Sequence, residues 1–345
     1  MQHITVVYDC PQKTCDKAWV YECVQQFFPQ AKSVYAKGIL ASLSRRNKLK
    51  YVYVLMDLLI CSIKQSRQAD IVIIWGKRIA ILLNVYFRIF SPKTKIISFN
   101  WLTPSLCKSV LTGWALTNPN FIAIVNDKNS ISLYKQRYNL QHTRNFCYLP
   151  DVYDSNTPFV SNNTRAPQSA YFFTGGMNNR DFGLILKFAR KFPNHEFVII
   201  ALKKDWQFKP QDIPSNVTVK FDTTSKEYYQ IMSNARAVLL PLLDNRVAGL
   251  INIAKAIQFG TLCVVSRTPA SQIYFANSDY LIEIGSLESL EQAICRIEKL
   301  TPAEYQQEII ALQKYLKENF APCIIIEQLL SFSKEYFLTL NQNPN

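Results

Sequence analysis

Short apolar runs separated by amphipathic stretches recur along the chain, and their spacing predicts alternating strands and helices. Runs without polar alternation read as strands buried on both faces. In the first half these are His3–Tyr8, Lys32–Tyr35, Ala69–Trp75, Lys95–Phe99, Phe121–Val125 and Phe146–Leu149. In the second half they are Ala170–Phe173, Glu196–Ala201, Val217–Phe221, Ala237–Leu240, Cys263–Val265 and a weaker Tyr280–Glu283. Between them, helical periodicity predicts helices over 16–28, 51–66 (with a strand as the alternative), 78–90, 128–138, 182–191, 226–235, 250–258, 287–299, 303–319 and 324–340. This alternation implies parallel sheets covered on both faces. Residues 154–168 break the rhythm with turn-forming residues and read as a linker. A chain of 345 residues is long for one core. The expectation is therefore two doubly wound α/β domains, over 1–153 and 169–323, with a last helix in 324–345 that crosses back to the first.

Charge separates the halves more sharply than hydropathy does. Residues 1–150 carry 20 Lys and Arg against 6 Asp and Glu, whereas residues 151–345 carry 19 of each, so the whole net charge of +14 belongs to the first half. A basic half calls for an anionic partner: a nucleic acid, a membrane surface or a phosphorylated substrate. The densest stretch, Lys37–Lys50, includes Arg45, Arg46 and Lys48, and Lys77–Phe90 is strongly apolar. Either these meet a membrane surface, or they are a solvated face and a buried crossover helix. For residues 77–90 the buried reading is the better one. No apolar run reaches the roughly 18 residues of a membrane-spanning helix; Asp57 and Arg88 break the longest candidates. The nine cysteines show no metal-type spacing, and no cleavable leader opens the sequence, so they are expected as reduced thiols in a cytosolic setting. Three histidines leave little room for a histidine metal site, and no metal or cofactor is expected.

Two loops carry the candidate chemistry. After the strand ending near Phe173 come Gly175 and Gly176, then Asn179, Arg180 and Asp181 at the mouth of a helix. Backbone N–H groups, a helix N-terminus and a guanidinium there could meet a phosphate, although a plain βα turn also uses glycine. A cation at a helix N-terminus opposes the macrodipole unless an anion joins it, which favours a ligand for Arg180. About seventy residues on, a strand ends at Pro241, and a loop with Asp244, Arg246, Ala248 and Gly249 leads into a helix that begins at Leu250 and carries Lys255. In a doubly wound sheet both loops gather at one edge. In the first half Asp9, Asn100, Trp101 and Thr103 follow strands in the same way.

The two loops together resemble the nucleotide-sugar domain of GT-B glycosyltransferases of the family-4-like group (glycosyl transferases group 1). Gly175-Gly176 with Arg180-Asp181 is similar to that group's first glycine turn. Gly249 through Lys255-Ala256 to Gly260-Thr261-Leu262-Cys263-Val264-Val265 is similar to its later helix motif. The resemblance implies two Rossmann-like domains facing across a cleft. It also implies transfer of a sugar from a nucleotide-sugar co-substrate, retention of anomeric configuration and no bound metal. Donor binding would fall to Gly175, Gly176, Asn179, Arg180, Asp244, Arg246, Ala248, Gly249 and Leu250. Arg180 and Lys255 would stabilise developing diphosphate charge, Lys255 being equally well read as a solvated helix face. Asp9 could act on the acceptor side, a turn or N-cap role being the better reading, and Asn100, Trp101 and Thr103 could line the acceptor, with packing as the equal alternative for Trp101. The chain departs from the group in having Lys255 where a helix acid often contacts the ribose, in lacking the earlier acid of that motif, and in having no histidine after a first-half strand.

The expectation is thus a cytoplasmic hexosyltransferase, peripheral at the inner face of a membrane. It would act on a lipid-linked or other glycan acceptor in polysaccharide biosynthesis, with its basic half against anionic lipid. The alternative is an inactive glycosyltransferase-like subunit that binds and stabilises an active one, for which the missing acids argue. A nucleic-acid reader ranks last, because Lys37–Lys50 holds no reader motif or interleaved aromatic platform.

Overall fold

The computed structural model describes residues 3–15, 24, 26–40, 42–43, 47–102, 109–176, 178–277 and 279–342. The chain forms two compact units, Met1–Pro150 with Pro322–Asn345, and Asp151–Ala321.

In the first unit six strands pair in parallel: β1 Ile4–Tyr8, β2 Lys32–Tyr35, β3 Ile71–Trp75, β4 Lys95–Phe99, β5 Phe121–Val125 and β6 Phe146–Tyr148. Their order is β2-β1-β3-β4-β5-β6. The runs lack polar alternation because both faces of the sheet are covered; β5 is buried at every position. On one face Val72, Ile74 and Ile96 share a core with four helices. These are α1 Lys48–Ser66, α2 Lys77–Phe90, α3 Val110–Leu116 and α4 Lys128–Tyr138. Helix α2 turns Ile79, Ala80, Leu83 and Phe87 into this core, so its apolar stripe is a crossover surface. Helix α1 starts at Lys48, capped by Asn47, which accepts from the Lys50 N–H; the strand alternative for 51–66 falls away. Arg45 and Arg46, and most of the helix expected over 16–28, lie outside the described residues.

The second unit repeats the plan with β7 Tyr171–Gly175, β8 Glu196–Ala201, β9 Val217–Phe221, β10 Ala237–Leu240, β11 Leu262–Ser266 and β12 Leu281–Ile282. All pair in parallel, in the order β12-β11-β10-β7-β8-β9. The helices are α5 Phe182–Lys191, α6 Ser225–Ser233, α7 Leu250–Gln258, α8 Leu287–Lys299 and α9 Pro302–Phe320. Local chemistry sets their starts: Asp181, Thr224, Ser286 and Thr301 each accept a hydrogen bond from the first turn. The turn-rich residues 154–168 are fastened along this unit. Gln258 Nε2 donates to the carbonyls of Asp154 and Thr157, and Val160 N–H donates to the Gln258 carbonyl.

The last helix, α10 Pro322–Gln342, belongs to the first unit. Its Leu329, Ser333 and Phe337 share an apolar cavity with Ile4, Ile71, Ile73 and Ile97 on the other sheet face. Tyr336 donates to the Pro119 carbonyl, and the Lys95 ammonium lies 4.8 Å from the Phe337 ring.

Each sheet has one place where the winding reverses: between β1 and β3 in the first unit, and between β7 and β10 in the second. In open α/β sheets the loops beyond the strand ends at such a reversal form the ligand crevice.

Candidate functional site

At the reversal in the second unit the two glycine loops meet. Residues 178–181 run beside 241–246: Asp181 N–H donates to the Pro241 carbonyl, Leu243 N–H donates to the Asn179 carbonyl, and Arg180 bridges to Leu242. Asn179 adopts a left-handed backbone conformation with φ of 56°. Its Nδ2 donates to the Asp244 carbonyl at 3.0 Å, and its Oδ1 accepts from Arg246. Arg246 also donates through Nε and its backbone N–H to the Asp244 carboxylate, and both side chains are largely exposed. That pairing holds the Asp244 carboxyl below its ordinary range.

Arg180 turns back from the helix mouth instead of leaving it. Only 8% of the residue is exposed. Its Nε donates to the Gly175 carbonyl at 2.9 Å and its Nη1 to the Asn178 carbonyl at 3.2 Å. The glycines make room for it. A Cβ on Gly176 or on Gly249 would stand 2.9 Å from guanidinium nitrogens, and one on Gly175 would stand 2.8 Å from the Tyr228 ring. Gly176 and Gly249 also have positive φ, 134° and 83°, which a side chain would strain. The nearest task of all three is thus to admit Arg180 and Tyr228, a role the sequence reading had given to phosphate approach. Burial disfavours the Arg180 charge, the neighbours that oppose this being Tyr228 and Cys263. Tyr228 is itself pushed far above its ordinary range by burial. Among the described residues no carboxylate pairs with Arg180. A buried guanidinium held by carbonyls alone carries a charge that no described anion balances.

The two helix N-termini differ. Asp181 caps α5 by accepting from the Leu184 N–H at 2.9 Å, which satisfies one N–H of that helix's first turn. Helix α7 begins at Leu250 after Gly249 at the N-cap, with no side-chain cap, so its first N–H groups face the loop without a side-chain acceptor. Leu250, expected among the donor contacts, is buried in the core at 3% exposure and offers its backbone N–H, not its side chain. Ala248 is half-buried in the same loop. Asn252, one turn into α7, was not expected; it donates to the Tyr228 hydroxyl at 2.8 Å. Beside Arg180 opens a pocket of about 290 Å³ with Phe182, Leu202, Phe208 and Leu243 as apolar walls and Asp205 and Gln207 as polar groups.

Lys255 is not part of this edge. It is 7% exposed, and its ammonium donates to Asp154 and to the Thr157 hydroxyl. Burial raises the Asp154 carboxyl, but the hydrogen bonds from Lys255 and Thr157 outweigh it and hold it below its ordinary value. Lys255 therefore fastens the 154–157 turn to α7, which corrects its assignment to donor charge. A lysine midway along a helix can face either the loop edge or the neighbouring chain, and the sequence does not distinguish these.

In the first unit Asp9 follows β1 and lies against Gly76, at the end of β3. A Cβ on Gly76, whose φ is 132°, would stand 2.9 Å from Asp9 Oδ2. Burial lifts the Asp9 carboxyl to about 6. Lys77, which follows Gly76 and was not expected, donates to the Tyr134 hydroxyl at 2.8 Å and lies 5.0 Å from the ring centres of Trp101 and Tyr134. Burial, with Arg78 beside it, lowers its ammonium to about 8. The available signal was a lysine directly after a strand-ending glycine at a helix start. Trp101 is fully buried, donates through Nε1 to Ser98 Oγ and packs edge-on against Phe121. It is a wall behind Lys77, which fits its packing alternative. Asn100 stays partly exposed with φ of 64°, and Thr103 lies outside the described residues.

No family model matches the chain, and no curated protein matches it in sequence. Solved structures do. HepE from Anabaena, in complex with UDP, superposes with a TM-score of 0.67 at 11% identity, over 97% of this chain and 100% of that one. A glycosyltransferase from Rickettsia africae gives 0.66 at 8% identity, over 97% and 99%. A UDP-forming alpha,alpha-trehalose-phosphate synthase from Burkholderia xenovorans gives 0.65 at 11% identity, over 96% and 98%. The chain has the GT-B fold of glycosyltransferases, two parallel six-stranded α/β units.

Proposed function

We propose that this protein is a glycosyltransferase that moves a sugar from a nucleotide-sugar donor to a lipid-linked or other membrane glycan. Arg180 carries the reading: it is buried and unpaired by any described carboxylate, at the winding reversal and beside the uncapped start of α7. A diphosphate there would supply the missing anion and accept from the α7 N–H groups. As the donor bond breaks, charge develops on the leaving diphosphate, and these fixed donors stabilise it without a metal. The pocket walled by Phe182 and Phe208 suits the nucleoside. HepE was solved with UDP and with UDP-glucose, which makes a uridine diphosphate sugar the first donor to test. On the acceptor side we assign Asp9 the proton of the attacking hydroxyl and Lys77 an anionic group of the acceptor. We further assign retention of configuration and a place in polysaccharide assembly at the inner membrane face, where an acceptor of this kind is presented.

The deciding experiment is a thermal-shift and calorimetric panel with UDP, GDP and CMP. Ligand at a thousandfold excess over Kd stabilises by about 4 kcal/mol. A shift with one nucleotide, lost in Arg180→Ala, supports the transferase. The second reading, an inactive subunit, draws on the position of the usual helix acid being taken by Lys255, which is tied to Asp154. It predicts no shift with any nucleotide in a folded sample.

A further inference from the structure

Helix α1 is apolar on two opposite faces. Val54 and Leu58 are buried against the sheet. On the outward side Leu49, Val52, Tyr53, Met56 and Ile60 are exposed at 86%, 54%, 64%, 47% and 49%. At about 100° per residue these five fall in one stripe roughly 100° wide, opposite the buried face. Lys48, Lys50 and Lys64 flank the stripe on the same helix. The one acid of the helix, Asp57, is taken by Lys37 at 2.9 Å. Scattered exposed apolar residues need no explanation, but a continuous apolar stripe does.

We propose that this outward face of α1 is where the protein docks on an anionic lipid surface, with the five apolar side chains in the interface and the lysines on headgroup phosphates. Charge decides among occupants. Residues 37–67 hold seven Lys and Arg against one acid. A two-fold contact with a second copy would set this basic region against itself. Lysine is also depleted in protein–protein interfaces, whereas an apolar stripe bordered by lysines is what an interfacial helix on anionic lipid requires. Helix α2, in contrast, turns its apolar face into the core, in line with the buried reading of 77–90, and its exposed large apolar residues are confined to the last turn, Ile89 and Phe90. The inference rests on the lipid-acceptor reading for why a membrane should be near, but its test requires neither donor nor acceptor.

Sedimentation of the full chain with phosphatidylcholine vesicles, with and without phosphatidylglycerol, tests it. Binding is expected to the anionic vesicles and to weaken with salt. Val52→Glu/Met56→Glu should lower it at least about tenfold, and Lys48→Gln/Lys50→Gln/Lys64→Gln should abolish the preference for anionic lipid. These side chains are exposed, so melting temperature and UDP affinity should match the wild type, which separates this proposal from the donor-site reading. In Val52→Trp the indole fluorescence should shift to the blue on vesicle addition. Absence of binding to anionic vesicles, or binding unchanged in Val52→Glu/Met56→Glu, overturns the proposal. So does a dimer that this variant dissociates in the absence of lipid, which would give the face to a second copy.

Discussion

Arg180 and Asp9 are each held in a form that costs the ligand-free protein stability. Removing the Arg180 charge relieves a desolvation penalty but strands the Gly175 and Asn178 carbonyls it now satisfies. These effects oppose each other, so Arg180→Met should unfold within about 1 kcal/mol of the wild type. It should nevertheless lose the stabilisation by nucleoside diphosphate, as melting curves with and without ligand would show. Gly249→Ala acts from the opposite side: its positive φ costs roughly 1–2 kcal/mol, and its Cβ displaces the guanidinium. Diphosphate affinity should therefore fall more than stability does. For Asp9 the sign is that of a carboxyl whose folded value, about 6, lies above its ordinary 3.8. The folded state binds this proton more tightly than the unfolded state. The resulting stability is complete below about pH 4 and lost as pH rises through 6. Asp9→Asn lacks this dependence and should gain on the wild type, by up to about 3 kcal/mol, between pH 5 and pH 8 in thermal melts. If Asp9 takes the acceptor proton, transfer by the wild type should rise with pH through about 6, and the Asn variant should show no such rise. The place of Arg180 at a helix mouth was legible; that its side chain turns back under two glycines was not, since nothing local to 175–181 reveals Gly249.

Among the elements, the parallel strands were the most legible, because burial on both faces leaves unbroken apolar runs such as Phe121–Val125 and Ala237–Leu240. Helix α3 was missed: it spans only seven residues, capped by Ser109, too short for a periodic pattern. Helix α1 looked ambiguous because it is apolar on two faces, and periodicity alone cannot separate that from a buried strand. The role of Lys255 depended on residues a hundred positions away. Its pairing with Asp154, whose carboxyl is held below 3.8, contributes stability above about pH 4 that is lost as the pH falls further. Lys255→Ala should leave a part-buried carboxylate unpaired and destabilise the second unit by about 1–3 kcal/mol, discounted for the exposure of Asp154. UDP affinity should stay within about twofold, a difference calorimetry resolves.

At the scale of the molecule, the charge asymmetry and the two-unit division were legible from composition and rhythm, while the attachment of α10 depends on packing against Ile4, Ile71 and Ile97. Among the described residues no helix is long and apolar enough to cross a membrane. Because residues 322–342 complete the unit that residues 3–150 begin, the second unit is an insertion in the first. Its own sequence is contiguous, so on the ribosome it has everything it requires once residue 321 has emerged. The first unit must wait, with one face of its sheet lacking α10, although it was synthesised earlier. The usual order of domain maturation along a nascent chain is thereby reversed: of the two units, the one begun earlier is completed later.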